Sequence, residues 1–354
     1  MEPAYGGSRS RGGGSGRSRF LAVLAFVLSL AVGFASSTLY LNHAGKSLGL
    51  RGGGSAGTAV TPIVVATHTA TPPPFDPSVG APLPTNRIVA MYGIVGGVDF
   101  NGPASTMDLL QANLPTFQQL GKQYAALDPT HPVQLGLDLV VNVLQPCYAF
   151  PQWCASWPDD ATIQAYITFC KQHNLLLFFD VQLGTEPVAD AVTKHLDQYL
   201  EKYPFAELAL DTEFHFPNTP QGYADAEGYP YYLGWMNASE INWAIQHLAQ
   251  MALTDRLPRK VLLVHQWNPA VLPDKSGVKL NSNVSLVLQS DGFGGVPGKL
   301  GDYQVFVQSA LWQYGGYKLF FTYQDDPNGA RDIPLQTPAQ VMQIFPQPLF
   351  ISYQ

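Results

Sequence analysis

The sequence predicts an α/β fold, a (β/α)8 barrel of the TIM type, preceded by one amino-terminal transmembrane or signal helix and a flexible linker. Three observations predict it. Eight short apolar runs alternate with amphipathic stretches across residues 87–354, and eight strands in strict β-α order over about 250 residues is the arithmetic of that barrel. Polar residues gather at the carboxy-terminal ends of the runs, where such barrels carry their sites. The turn after the first run, GIVGGVDFNG, is not G-x-G-x-x-G and no P-loop occurs, which leaves the doubly wound open sheet without its usual phosphate loop.

The amino-terminal part is built differently. Residues 1–19 form a Gly-rich tail bearing Arg9, Arg11, Arg17 and Arg19. The run that follows, FLAVLAFVLSLAVGFA, has no charge. Continued to residue 41 it reaches the roughly 20 residues a spanning helix needs. Gly33 and Ala35 also offer a small-x-small cleavage site, so residues 20–41 are an anchor or a signal peptide. Positive charge before the segment keeps the amino terminus inside and places the rest outside the membrane. Residues 42–86, rich in Gly, Ser, Thr and Pro without apolar period, read as a linker, and residues 87–354 as the barrel domain.

Charge divides along the same line, with +5 on residues 1–51 and −12 on the remainder. A net-acidic folded part excludes a phosphate-backbone binder, so no nucleic-acid partner is expected. Three cysteines are too few for a disulfide scaffold. Cys147 and Cys154 bracket a short loop and suit a bridge in an oxidising compartment, while Cys170 reads as a small buried residue on a helix.

The expected strands are 87–93, 133–143, 174–184, 205–214, 260–267, 284–294, 317–324 and 349–354. Each is rich in β-branched, aromatic or leucine side chains. The expected helices are 106–126, 159–173, 187–203, 238–256, 302–314 and 337–345. Several open on start signals: Pro187, the pair Asp159 and Asp160, and Thr337-Pro338. Between the fifth and sixth strands, NPAVLPDKSG is too short for a full helix. The chain ends on its eighth strand, so another element, residues 76–86, is expected to cover that side.

Polar strand ends supply the candidate site. Run one ends in Tyr92, run three in Asp180 and Gln182, run four in Asp211, Glu213 and His215. Run five ends in His265, Gln266 and Trp267, run six in Gln289 and Asp291, run seven in Tyr323 and Gln324, and run eight in Tyr353. In ELALDTEFHF a period of two puts Ala209, Asp211, Glu213 and His215 on one face and Leu208, Leu210, Thr212 and Phe214 on the other. Two carboxylates about 7 Å apart on one face of a strand, with Asp180 on the neighbouring strand, repel unless protonated, paired or metal-bound. Clustered acids raise one another's pKa, which suits a general acid. Lys318, inside the apolar seventh run, reads as an ion-pair partner for an inward carboxylate, and Asp138, inside the second, as another inward group or as that partner.

Glycoside hydrolysis needs this equipment: one protonated carboxyl for the leaving oxygen and a second group to stabilise the cationic centre. LALDTEF resembles the D-x-E ending of the fourth strand in chitinase-like and family-25-lysozyme-like barrels. The resemblance implies Glu213 as proton donor and Asp211 as its partner; Asp180, expected on the adjacent strand, is a third catalytic candidate. Tyr92, Gln182, His215, His265, Trp267, Asp291 and Tyr323 are then the expected substrate-binding residues. The approach PFAELAL lacks the longer chitinase run of aspartates, which argues against substrate assistance. The whole domain also resembles exported bacterial barrel proteins of unassigned activity.

The reading that results is a membrane-tethered, extracytoplasmic glycoside-hydrolase-like protein acting on a cell-envelope or extracellular polysaccharide, with no cofactor. Two alternatives stay open. One is a non-catalytic envelope protein that holds a glycan or partner at the barrel mouth. The other is a metal-dependent hydrolase, for which acids and histidines suffice in number but no H-x-H, H-E-x-x-H or paired-cysteine spacing fixes a metal site. No G-x-S-x-G supports a serine nucleophile.

Overall fold

A computed structural model of the chain describes residues 75–94, 107–146, 153–217, 222–224, 230–232, 234–307, 313–321 and 331–354. The basic tail, residues 20–41 and most of the linker lie outside them. Among the described residues no helix is long and apolar enough to cross a membrane.

Eight parallel strands form the barrel: β1 (Arg87–Ile94), β2 (Val133–Pro146), β3 (Leu176–Val181), β4 (Ala206–Leu210), β5 (Lys260–Gln266), β6 (Val284–Ser290), β7 (Tyr314–Leu319) and β8 (Phe350–Tyr353). Each pairs with the next. β1 pairs with both β2 and β8, which closes the sheet. Closure removes the free edges that an open sheet would expose. β2 overruns its neighbours and pairs antiparallel with a short strand, Trp153–Ser156. A small hairpin, Gly222–Ala224 with Pro230–Tyr232, lies in the connection after β4.

The helices between strands are α1 (Met107–Leu127), α2 (Asp160–His173), α3 (188–200), α4 (Ala238–Thr254), α5 (Val296–Val307) and the single turn α6 (Pro338–Val341). α3 is continuous but passes through a π segment at Val192–Leu196. Two start signals act as expected: the Asp159 carboxylate accepts from the Thr162 N–H, and Thr337 forms a capping box with Gln340; the structure adds a capping box of Asn237 with Glu240. The β5–β6 connection holds two short 3-10 turns, Pro269–Val271 and Lys275–Gly277, and no α-helix.

Several expectations change, and the helix expected over 337–345 shrinks to the single turn α6. The fifth helix begins at Val296 and not at 302. The seventh strand begins at Tyr314, and Tyr323 and Gln324 fall outside the described residues. Run four leaves the sheet at Leu210 and turns into a 3-10 helix, Thr212–Phe214, so the alternation read through His215 stops at Asp211. Residues 76–86 close the amino-terminal end of the barrel. The Arg259 N–H donates to Pro77 O, and the Arg259 guanidinium donates to Leu83 O. Leu83 joins the barrel interior.

Period-two geometry sorts the strand residues. One face packs against the helices in a large apolar core that includes Cys170, which is buried and free. The other face fills the barrel with Ile88, Ala90, Leu176, Phe178, Ala209, Val261, Leu263, Val287 and Phe350. Phe178 and Phe350 meet edge to face at 5.2 Å. This apolar plug floors the carboxy-terminal half of the barrel, and most of the inward-facing strand residues above it are polar.

Candidate active site at the barrel mouth

The polar layer follows from the same alternation carried one step further along each strand. Above Ala90 comes Tyr92, above Phe178 Asp180, above Ala209 Asp211, above Leu263 His265 and above Val287 Gln289. Asp138 of β2 and Lys318 of β7 complete the ring. Asp138, Asp180, Asp211, His265, Gln289 and Lys318 are all buried. Asp291 follows β6, fixed by its N–H donating to Gln266 O at 3.0 Å.

Five carboxyl groups here share two cations. Lys318 Nζ stands 2.9 Å from one oxygen of Asp291 and 3.2 Å from the other, and 3.4 Å above the centre of the Tyr92 ring. His265 Nδ1 lies 2.8 Å from Asp291 Oδ2. A carboxylate accepts only, so Nδ1 carries the proton. His265 Nε2 faces Asp180 Oδ2 at 3.4 Å and Asp138 Oδ2 at 3.8 Å. Asp211 Oδ2 receives long contacts from Gln182 Nε2 at 3.4 Å and the Tyr92 hydroxyl at 3.5 Å.

The protonation pattern follows from this unequal sharing. Burial opposes ionisation of Asp291, but Lys318 and His265 outweigh it and hold its pKa below the ordinary range. Burial also opposes the cations, yet Asp291 and Asp211 keep the Lys318 pKa raised, and Asp180, Asp291 and Asp138 push His265 up to about 10. Asp138 is pushed up to about 6 by burial, and Asp180 is raised well above its usual value by burial and then by Asp211. Asp211 is raised by burial and by Asp291.

Glu213 differs from these acids in being half-buried. It is the acid of the cluster with access to the mouth. Burial, then Asp211, then Asp291 raise its pKa well above the ordinary range, which favours its protonated form. The 3-10 turn that carries it is pinned from several sides. Thr212 Oγ1 donates to His265 O at 2.7 Å, Gly234 N to Glu213 O at 2.8 Å and Trp235 N to His215 O at 2.8 Å.

His215 is deeply buried with both ring nitrogens engaged, at 3.3 Å from Gly184 O and 2.6 Å from Glu240 Oε1. Since Glu240 also caps α4, His215 ties the Glu213 turn to that helix. Trp267 is half-buried against the apolar core. Tyr92, Gln182, His265 and Asp291 join Asp180, Asp211 and Glu213 in one constellation; Tyr323 lies outside the described residues.

One buried participant was not singled out from sequence. Asn142 Nδ2 donates to Gln182 O at 3.1 Å and Asn142 Oδ1 accepts from Gln182 N at 2.8 Å. It thereby clamps β2 to β3 beside a register shift between Val140 and Asn142. Its signal was an amide inside the hydrophobic VVNV, as unusual there as the aspartate at 138.

The comparisons with known proteins add no family: the chain matches no family model and no curated protein.

Proposed function

We propose that the barrel mouth is a carboxylate acid/base centre that hydrolyses a glycosidic bond in a cell-envelope or extracellular polysaccharide, the protein being tethered outside the membrane by residues 20–41. The observation that carries the reading is Glu213: a half-buried carboxyl whose protonated form is favoured, beside a ring of more deeply buried acids. A group in that state donates a proton to a leaving oxygen. Asp211, directly below it in sequence and buried, supplies negative charge to the cationic centre that forms as the bond breaks. Asp180 deepens the same negative field from β3. Tyr92, Gln182, His265 and Asp291 hold these acids in place, so the ring is preorganised before substrate arrives.

The test compares the full-length chain in detergent with Glu213→Gln on a panel of polysaccharides and on aryl glycosides. Loss of a general acid is expected to lower kcat/KM for a natural linkage about 10²- to 10⁴-fold. An aryl glycoside whose leaving group departs without a proton should lose far less. Equal loss on both substrates, or full activity in the variant, sinks the assignment of Glu213. No release from any glycan by the parent favours a tethered glycan-binding protein.

A further inference from the structure

We propose that Asp138, Asp180 and His265 bind one small divalent transition-metal ion, of the zinc class, on the floor of the mouth below Glu213. The site goes beyond the hydrolytic reading and does not depend on it.

Two independent observations point to a cation. The first is unmet bonding. Both oxygens of Asp138, both of Asp180 and His265 Nε2 are buried without a hydrogen-bond partner among the described residues. Two buried carboxyl groups without a hydrogen-bond donor are costly to keep out of water, and a cation between them would satisfy both.

The second is spacing. One ligand atom from each residue lies within 4.8 Å of the other two, and His265 Nε2 is 3.4 and 3.8 Å from the two carboxylate oxygens. Those separations exceed an N–H···O hydrogen bond, roughly 2.7–3.2 Å. The shorter falls within the roughly 3.3–3.6 Å edge of a tetrahedron of ligands about 2.0–2.2 Å from a central ion, and the longer lies about 0.2 Å beyond it. A proton on Nε2 would serve at most one of the two acids at a long distance. An ion serves both.

The tautomer agrees. With His265 Nδ1 donating to Asp291, Nε2 is the nitrogen that faces the carboxylates, and an entering metal ion displaces its proton to bind there. An imidazole bound to metal through one nitrogen and to a carboxylate through the other is the usual arrangement around a ligating histidine. Lys318 in turn holds Asp291. One nitrogen and two carboxylate oxygens suit zinc, cobalt or manganese better than a purely oxygen-seeking calcium ion. Three protein ligands leave a fourth position for water or substrate.

The ligands come from three strands, Asp138 from β2, Asp180 from β3 and His265 from β5. No linear motif therefore marks the site.

The experiment strips the full-length chain in detergent with chelator, then titrates it with ZnCl2 by calorimetry and with CoCl2 by visible absorption. One ion per chain and the visible bands of a low-symmetry cobalt site are expected. Asp180→Asn and His265→Gln should each weaken zinc at least about 100-fold, and Asp291→Asn about 10- to 100-fold through its hold on the imidazole. Glu213→Gln should bind as the parent does. Failure of the folded parent to take up stoichiometric zinc or cobalt overturns the site, and this measurement needs no variant to fold. Unchanged binding in folded Asp138→Asn and Asp180→Asn, with loss in Asp211→Asn, also overturns it by moving the ion to Asp211, Asp291 and the other face of His265. Uptake and sugar release are read separately, so either proposal can fail alone.

Discussion

Arg87 opens β1 at the amino-terminal end of the barrel and is fully buried. Its Nη1 is 3.1 Å from Asp128 Oδ2, its Nε donates to Pro348 O at 3.1 Å and its Nη2 to Gln347 Oε1 at 2.6 Å. One side chain thus joins β1, the turn after α1 and the segment entering β8, at the seam that closes the sheet. Asp128→Ala leaves the guanidinium buried with only neutral acceptors. Removing one member of a buried pair costs about 3–5 kcal/mol. Asp128 keeps 15% of its side-chain surface exposed, so water relieves part of the loss, and we expect about 2–4 kcal/mol at pH 7.

With a urea slope of about 3 kcal/mol/M, that lowers the unfolding midpoint by about 1 M. Tryptophan fluorescence reads it. Arg87→Met with Asp128→Ala should recover part of the deficit, giving a coupling of at least about 1.5 kcal/mol.

The pH dependence has a definite sign. The Thr130 hydroxyl, against some opposing burial, then His131, the Thr130 N–H and Arg87 hold the Asp128 pKa far below its ordinary value. A depressed carboxyl stabilises above its unfolded pKa and loses that contribution as pH falls toward the folded value. The gap between parent and Asp128→Ala should therefore be constant from pH 7 to 5 and narrow by about 1 kcal/mol near pH 3. A gap under about 1 kcal/mol at pH 7, or one that does not narrow in acid, refutes the reasoning.

Other consequences are as specific. Glu207 inside the barrel base is pushed up to about 7 by burial, against the pull of Lys260 and the Val261 N–H. A raised carboxyl stabilises below its unfolded pKa and loses this as pH rises, so Glu207→Gln should gain on the parent between pH 5 and 7.5. The gain is on the order of 3 kcal/mol in unfolding titrations, and parallel profiles would disprove it. A Cβ on Gly234 would lie 2.3 Å from Glu213 O and 2.5 Å from His215 O, both backbone atoms. Gly234→Ala should displace the Glu213 turn, lowering Tm and any glycan turnover together, and unaltered values of both would show the turn to be free to shift. Glu213→Gln and the zinc titration test the mouth itself.

Much was legible in the sequence because it depends on local periodicity. Eight apolar runs with intervening helical patterns specify the barrel, since a two-residue period fixes which side chains share a face and a cap such as Asp159 or Thr337 fixes where a helix starts. The acids at strand ends were legible for the same reason: an aspartate at 138, 180 or 211 in an apolar strand must be facing something polar. His215 shows the limit. The alternation that placed it beside Glu213 ended at Leu210, because the backbone needed a 3-10 turn there, and tertiary packing gave its ring to Glu240 and Gly184.

What the sequence by itself determined is the set of inward polar residues and the class of fold that gathers them. Only the tertiary structure decided how five acids divide two cations. Pairing of β6 with β7 sets Lys318 against Asp291, closure of the barrel brings Asp138 and Asp180 across to one nitrogen of His265, and Glu213 is left the least buried of the five. Those distances depend on strand register and barrel closure, which are properties of contacts far apart in the chain and leave no local pattern to read.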